Sequence, residues 1–242
     1  MAQFSKYQIR LVPQDLASSD ELLDVARAFR EIRLQSLQSD PASFSSTDFV
    51  ERQKPISFFT KRLQNPLAKT FAVVCDKAED PASNKASEST AGTWYGMLVL
   101  LGPQVVDPET FDNENSWKNL IGEQQRASQA PKTKSTAEAP SISQTAFSYH
   151  IVSVYVSSVL RGQGIGKDLF RAAFAEIEKE AANHRLTRAI CTLGVGKNLL
   201  AAWNLYNAIG FVAVAEVQYV VDDGRVLDDV IMRKDFEGDA FI

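Results

Sequence analysis

Between Ile151 and Ile177 the chain runs from a strand into a helix through a loop that holds three of its 12 glycines. The strand Ile151-Val-Ser-Val-Tyr-Val156 continues through Ser157-Ser-Val-Leu160 into Arg161-Gly-Gln-Gly-Ile-Gly-Lys167. A helix follows at once, with Leu169, Phe170, Ala173, Phe174 and Ile177 on one apolar face. Glycines here let the backbone approach a ligand closely. The first N–H groups of the helix have no intrahelical partners, and with the helix dipole they favour an anion. Arg161 and Lys167 add positive charge. The unit therefore reads as a cradle for a pyrophosphate-like group, set between a strand and a helix.

Two nucleotide loops fail against the letters. A dinucleotide turn needs Gly-x-Gly-x-x-Gly, and Gly162-Gln-Gly164-Ile-Gly166 brings the last glycine one place early. The acidic residue due about 20 positions later also lacks the strand it should end. A Walker loop needs Gly-Lys followed by Ser or Thr, and here Asp168 follows Lys167.

The rest of the chain supplies a sheet for this unit. Tyr7–Val12 alternates polar and apolar residues and stops at Pro13. Ser18 and Glu21 form a capping box before a helix carrying Leu22, Val25, Phe29 and Ile32, which should end before Pro41. Asp48 and Glu51 open a second helical stretch through Phe58, Phe59 and Leu63, stopped by Asn65-Pro66. Strands are expected at Lys69–Cys75 and Thr93–Leu101, joined by a polar loop from Asp80 to Gly92. From about Gly102 to Thr145 the chain is polar and rich in proline, a surface insertion, with one candidate short helix at Ser116–Ile121. Then follow a strand Phe147–Val156, a helix Gly166–Ala182, a strand Arg188–Leu193 and a helix Asn198–Ile209. Strands Val212–Val221 and Val226–Lys234 close the chain, joined by a turn at Asp223-Gly224. This order predicts an α/β (α+β) chain with a mixed, mostly antiparallel sheet flanked by helices, a single domain over residues 1–242.

Composition narrows the class. A formal net charge of −4 and a pI of about 5.3 speak against a nucleic-acid binder. Cys75 and Cys191 sit inside apolar runs and read as buried thiols, with no disulfide framework and no metal-ligand spacing. The N-terminus lacks an apolar signal core and no run approaches the roughly 20 apolar residues of a membrane span. A cytoplasmic or nucleocytoplasmic protein without membrane attachment is expected.

The loop resembles the GNAT superfamily of N-acetyltransferases, whose signature is Arg/Gln-x-x-Gly-x-Gly/Ala after the fourth strand. Arg161-Gly-Gln-Gly164-Ile-Gly166 fills every fixed position. The family's later Leu-Tyr-x-x-x-Gly-Phe stands at Leu205-Tyr206-Asn-Ala-Ile-Gly210-Phe211, in the right order and at the usual separation. The likeness is tightest from about Phe147 to Phe236. Phe29–Leu37 and Asp40–Phe44 look like the substrate-side helices of small members, and the insertion before the fourth strand departs from the compact family core.

This resemblance implies acetyl-CoA as cosubstrate, with no metal. The pantetheine arm would pair with the backbone of Val154, Tyr155 and Val156, and an N–H near Val156 would stabilise the oxyanion. Pyrophosphate would rest on Gly162, Gln163, Gly164, Ile165, Gly166 and Lys167, beside Arg161. Tyr206 matches the tyrosine that protonates the departing thiolate. Asn198 resembles an asparagine that contacts the CoA arm, one residue further from Tyr206 than is usual. His150 is the candidate general base, since an unperturbed imidazole titrates near neutrality. Glu31 and Arg33 are candidates for substrate contact or plain solvated charges. The acceptor is expected to be a small-molecule amine rather than a protein. The alternatives are a protein or peptide N-acetyltransferase, a different acyl donor, and a non-catalytic CoA-binding module. The C-terminal hairpin is a candidate homodimer surface.

Overall fold

A computed structural model describes residues 7–16, 18–75, 91–114, 145–221 and 223–237. Most of the Asp80–Gly92 loop, the Ser116–Ile121 helix and most of the insertion lie outside the described residues. The chain divides into two compact units, Met1–Val99 with Ser153–Ala172, and Leu100–Val152 with Ala173–Ile242. Hydrogen-bonded strand neighbours follow the order β1-β2-β3-β4-β5-β7-β6 in a seven-stranded sheet. The strands are β1 (Tyr7–Leu11), β2 (Ala68–Cys75), β3 (Trp94–Val106), β4 (Ala146–Val156), β5 (Arg188–Gly196), β6 (Val212–Val220) and β7 (Val226–Glu237).

In the first unit, β1 runs antiparallel to β2 from Tyr7↔Cys75 to Leu11↔Phe71. Helix α1 (Ser19–Ser39) starts where the capping box requires, because the Ser18 hydroxyl accepts the Glu21 N–H at 3.1 Å. It ends at Asp40, ahead of Pro41. The second helical stretch is in fact two helices, α2 (Asp48–Arg52) and α3 (Ile56–Leu63). The break falls at Lys54-Pro55, since the residue before a proline is steered away from helical angles. Phe29, Phe59 and Trp94 form the aromatic centre, with Phe29 edge-on to Phe59 at 6.1 Å and tilted to Trp94 at 6.0 Å.

In the second unit, β4 runs parallel to β5 from Phe147↔Ala189 to Ile151↔Leu193. Strand β7 pairs antiparallel with both β5 and β6. Helix α4 (Ile165–Asn183) begins in the first unit and ends in this one, where Phe174 meets Phe211 at 6.0 Å and Phe236 at 5.2 Å. Helix α5 (Leu200–Ala208) precedes β6. Cys75 and Cys191 are buried and form no disulfide, as their apolar surroundings lead one to expect. Strand β3 runs past Leu101, where the sequence suggests a stop. Gly102 adopts φ +122°, and a Cβ there would lie 2.7 Å from the Ser148 carbonyl oxygen. Glycine thus lets β3 continue beside β4 where any side chain would collide. Among the described residues no helix is long and apolar enough to cross a membrane.

One charged pair ties α1 to α2. Arg33 grips Glu51 through Nε and a terminal nitrogen, the shortest contact being 2.7 Å, and both side chains are about 95% buried. Arg33 is therefore not the solvated helix charge or substrate contact that sequence alone offers. Burial opposes ionisation of Glu51, but the hydrogen bonds and charge of Arg33, with Arg62, hold its carboxyl below the ordinary range. Glu51→Gln should cost about 3–5 kcal/mol in urea unfolding, because it strands a buried guanidinium. A depressed carboxyl stabilises fully above its unfolded pKa and loses that contribution as pH falls through the folded value. The wild-type urea midpoint should drop on acidification below the ordinary glutamate range, and less steeply in Glu51→Gln.

Candidate acyl-CoA site

The glycine loop leaves a row of main-chain donors open. Among the described residues, no protein acceptor takes the N–H groups from Gly162 to Lys167, and the Asp168 N–H makes the first helical bond, to Gly164 O at 3.2 Å. Gly162 and Gly164 stand at φ +77° and +85°, the left-handed region that favours glycine. A Cβ at either position would meet nothing within 4 Å, so this approach is open. Buried Leu160 and Ile165 anchor the two ends of the loop. The donors head a helix of 19 residues, so its dipole adds to their pull on an anion. Donor row, open approach and dipole together fit a diphosphate.

Strand β4 changes character just before this loop. Its ladder to β5 ends at Ile151↔Leu193, although β4 continues to Val156 and β5 to Gly196. Ser153 then takes φ +57°, rare for a residue with a side chain. Beyond it, β4 hugs β3: Ser157 N–H donates to Tyr95 O at 2.7 Å, and a Cβ on Gly96 would lie 2.8 Å from Tyr155 O. Gly96 is a site determinant that no loop motif marks, and its signal is only a glycine inside a β-branched and aromatic run. Tyr155 is buried, and Val154 and Val156 are half-buried.

Arg161 is engaged differently from a plain phosphate ligand. Its Nε donates to Val156 O at 2.9 Å and a terminal nitrogen donates to Asp40 at 2.6 Å. Asp40 also accepts from Ser39, whose hydroxyl lies 3.1 Å from the Tyr155 hydroxyl. Burial opposes charge on Asp40, but the bonds from Arg161 and Ser39 prevail and hold its carboxyl below the usual range. The end of α1, the end of β4 and the first loop residue are thereby latched together, a link that sequence reading missed. Lys167 and Gln163 are exposed and Gly166 is half-buried.

The remaining candidates lie in the second unit. Tyr206 is buried on α5, and burial pushes its phenol up to about 12. It therefore stays protonated at neutral pH. Asn198 is exposed just before α5, where its carbonyl accepts the Leu200 N–H at 3.1 Å. His150 is 4% exposed, and burial lowers its pKa to about 4. The Thr192 hydroxyl donates to Tyr149 O at 3.2 Å, so its oxygen is left to accept from His150 Nδ1 at 2.9 Å. The imidazole is neutral and closed to solvent, which removes the near-neutral titration that favoured it as base.

A cavity of about 900 Å³ opens in the first unit between α1 and residues 52–56. Arg27, Arg30, Arg52 and Lys54 line it against a single acid, Glu31. Arg27 and Arg52 are paired with Asp24 and Asp48, which leaves a modest positive excess that does not favour an ammonium. Among the described residues no group of three or more His, Cys, Asp or Glu is placed to hold a metal ion.

Comparison with known proteins agrees with this geometry. The model of the acetyltransferase (GNAT) family matches residues 136–211, which hold both the glycine loop and Tyr206. Arabidopsis thaliana NAA60 in complex with a bisubstrate analogue superposes with a TM-score of 0.55 at 13% identity, over 96% of this chain and 100% of that one. The same enzyme in complex with acetyl-CoA gives 0.51 at 15% identity, over 95% and 98%. A protein from Acinetobacter baylyi ADP1 gives 0.51 at 13% identity, over 95% and 92%. No curated protein sequence matches the chain. Likeness at such identities establishes the fold, which is the acyl-CoA N-acyltransferase, or GNAT, fold.

The surroundings of His150 make a pH prediction. A base with a depressed folded pKa binds fewer protons folded than unfolded, so stability rises with pH from about 4 to about 6.5 on this account. Nitrogen-detected NMR should show the proton on Nδ1 and no titration of His150 between about pH 5 and 8. A normal imidazole titration there would contradict the assigned environment.

Proposed function

We propose that this protein transfers the acetyl group of acetyl-CoA to a primary amine by direct attack in a ternary complex, and that the acceptor is a small molecule. The open donor row at Gly162–Lys167, heading α4 just after β4 leaves its ladder with β5, is the observation that carries this reading. The family match over the same residues supports it. A diphosphate bound there would lay its pantetheine arm along the backbone of Val154, Tyr155 and Val156, adding a strand-like edge. An N–H near Val156 would polarise the thioester carbonyl and stabilise the developing oxyanion. Arg161 already holds Val156 O, so it orients this backbone as well as supplying charge. Tyr206, which burial keeps protonated, is the proposed proton donor to the departing thiolate. Asn198, exposed at the head of α5, is the proposed polar contact for the CoA arm. The small-molecule acceptor is preferred because the sequence shows neither an acidic groove nor a peptide-docking pattern.

Isothermal titration tests the cofactor first. Acetyl-CoA should bind in the micromolar range, and Arg161→Glu should weaken it by about tenfold or more, since charge reversal also breaks the latch to Asp40. No heat at millimolar acetyl-CoA would refute the reading. Tyr206→Phe should lower kcat by about 100-fold while leaving acetyl-CoA affinity almost unchanged, because the proton is needed only as the thiolate leaves. An unchanged kcat would remove Tyr206 from the chemistry.

A further inference from the structure

Strand β6 is the last in the order of the sheet, and most of its outer edge lacks the usual protection. A sheet edge exposes unpaired N–H and C=O groups, and chains blunt it with lysine, proline or a bulge. Val212–Val220 contains no lysine, arginine or proline. The register with β7 shifts at Val214, between Ala213↔Met232 and Ala215↔Ile231. From Ala215 to Val220 that register is regular, so this stretch is an uninterrupted edge. Val220 is 70% exposed, and Val226 opposite it is 54% exposed.

The hairpin turn sets which main-chain groups face outward. Val221 N–H donates to Arg225 O at 3.0 Å, so Val221 turns these groups toward β7. In an antiparallel ladder, hydrogen-bonded pairs alternate with open ones. Tyr219↔Leu227 and Val217↔Asp229 are therefore the bonded pairs. Glu216, Gln218 and Val220 aim their N–H and C=O groups away from β7. Side chains alternate too: Glu216, Gln218 and Val220 are exposed on one face, and Ala215, Val217 and Tyr219 are half-buried on the other.

We propose that β6 pairs antiparallel with the β6 of a second copy of this chain, with Val217 on the two-fold axis. The dimer does not depend on acetyl transfer. A two-fold interface must match the strand to itself, and outward groups must meet outward groups. Centring the pair on Glu216 would set that carboxylate against its own copy, and like charges directly opposite oppose pairing. Centring it on Gln218 would set the Glu216 charge against the exposed Val220. Centring it on Val217 sets Glu216 opposite Gln218 of the second copy. Each such pair exchanges both main-chain hydrogen bonds, and the carboxylate meets an amide donor. Gln218 Nε2 already donates to Asp228 at 2.8 Å and keeps a second hydrogen for this contact. On the other face small Ala215 lies opposite large Tyr219, and Val217 lies opposite itself. At either end Val220 reaches exposed Val214. The edge complements its own reverse in charge, size and backbone direction, which makes a second copy the partner it fits.

Sedimentation velocity of the full chain tests for the dimer. A monomer–dimer equilibrium should appear with a Kd on the order of 10 µM, so the dimer should dominate at about 100 µM. Gln218→Pro removes an N–H that points away from β7, so the hairpin keeps its ladder while the second copy loses a bond. It should weaken dimerisation about tenfold or more, with circular dichroism and thermal midpoint close to wild type. Cross-linking reads the register without that variant, and buried Cys75 and Cys191 do not compete. Val217→Cys should form a disulfide-linked dimer on oxidation, since opposed residues of an open pair stand about 4.5 Å apart at Cα. Gln218→Cys should not, because its copy would lie about two residues along the strand, roughly 7–8 Å away and past disulfide reach. A chain that stays monomeric at about 100 µM would overturn the proposal. So would cross-linking through Gln218→Cys in place of Val217→Cys, or a dimer that a folded Gln218→Pro leaves intact.

Discussion

The structure turns on main-chain N–H groups that the protein does not use. From Gly162 to Lys167 these donors have no protein acceptor among the described residues, and the chain is built to keep them so. Leu160 and Ile165 sink into the core on either side and anchor the loop. Left-handed glycines at Gly162 and Gly164 turn the backbone tightly without adding side chains above it. Orphan donors that face water cost little, and they reward an anion that replaces that water. A site of this kind depends on backbone direction more than on side-chain identity.

Other features serve to aim that backbone. Strand β4 parts from its ladder with β5 after Ile151, twists at Ser153, and is drawn against β3 where Gly96 leaves room for Tyr155. Arg161 then bridges Val156 and Asp40, so the loop inherits its position from both a strand and the end of α1. Helix α1 is itself held by Arg33 and Glu51, a pair whose burial gives it weight that an exposed ion pair would not have. Stability and site geometry thus share elements, and substitutions in the α1–α2 contact should be felt at the loop.

The two buried titratable residues that drew attention as chemistry behave in opposite ways. Burial keeps the Tyr206 phenol protonated, which suits a donor to a leaving thiolate. Burial also keeps the His150 imidazole neutral, but seals it behind Thr192 and out of solvent. Desolvation is the same cause in both cases. What differs is the direction of proton transfer each role demands, and whether the group can be reached.

Much of the architecture was legible in the chain itself. Element order, the start of α1 at Ser18, the strand-to-helix glycine loop and the Leu205–Phe211 motif are local patterns, set by hydrophobic period, caps and turn residues a few positions apart. Even Pro55, which splits the second helical stretch, acts through its own immediate neighbour. What only the tertiary structure decided involves residues far apart in sequence: Arg33 with Glu51, Arg161 with Asp40, and Gly96 beneath Tyr155. Local letters determine backbone shape because dihedral preference and periodicity are short-range. Burial, ion pairing and pKa depend on which distant side chains the fold brings within a few ångströms, and no spacing in the sequence encodes that.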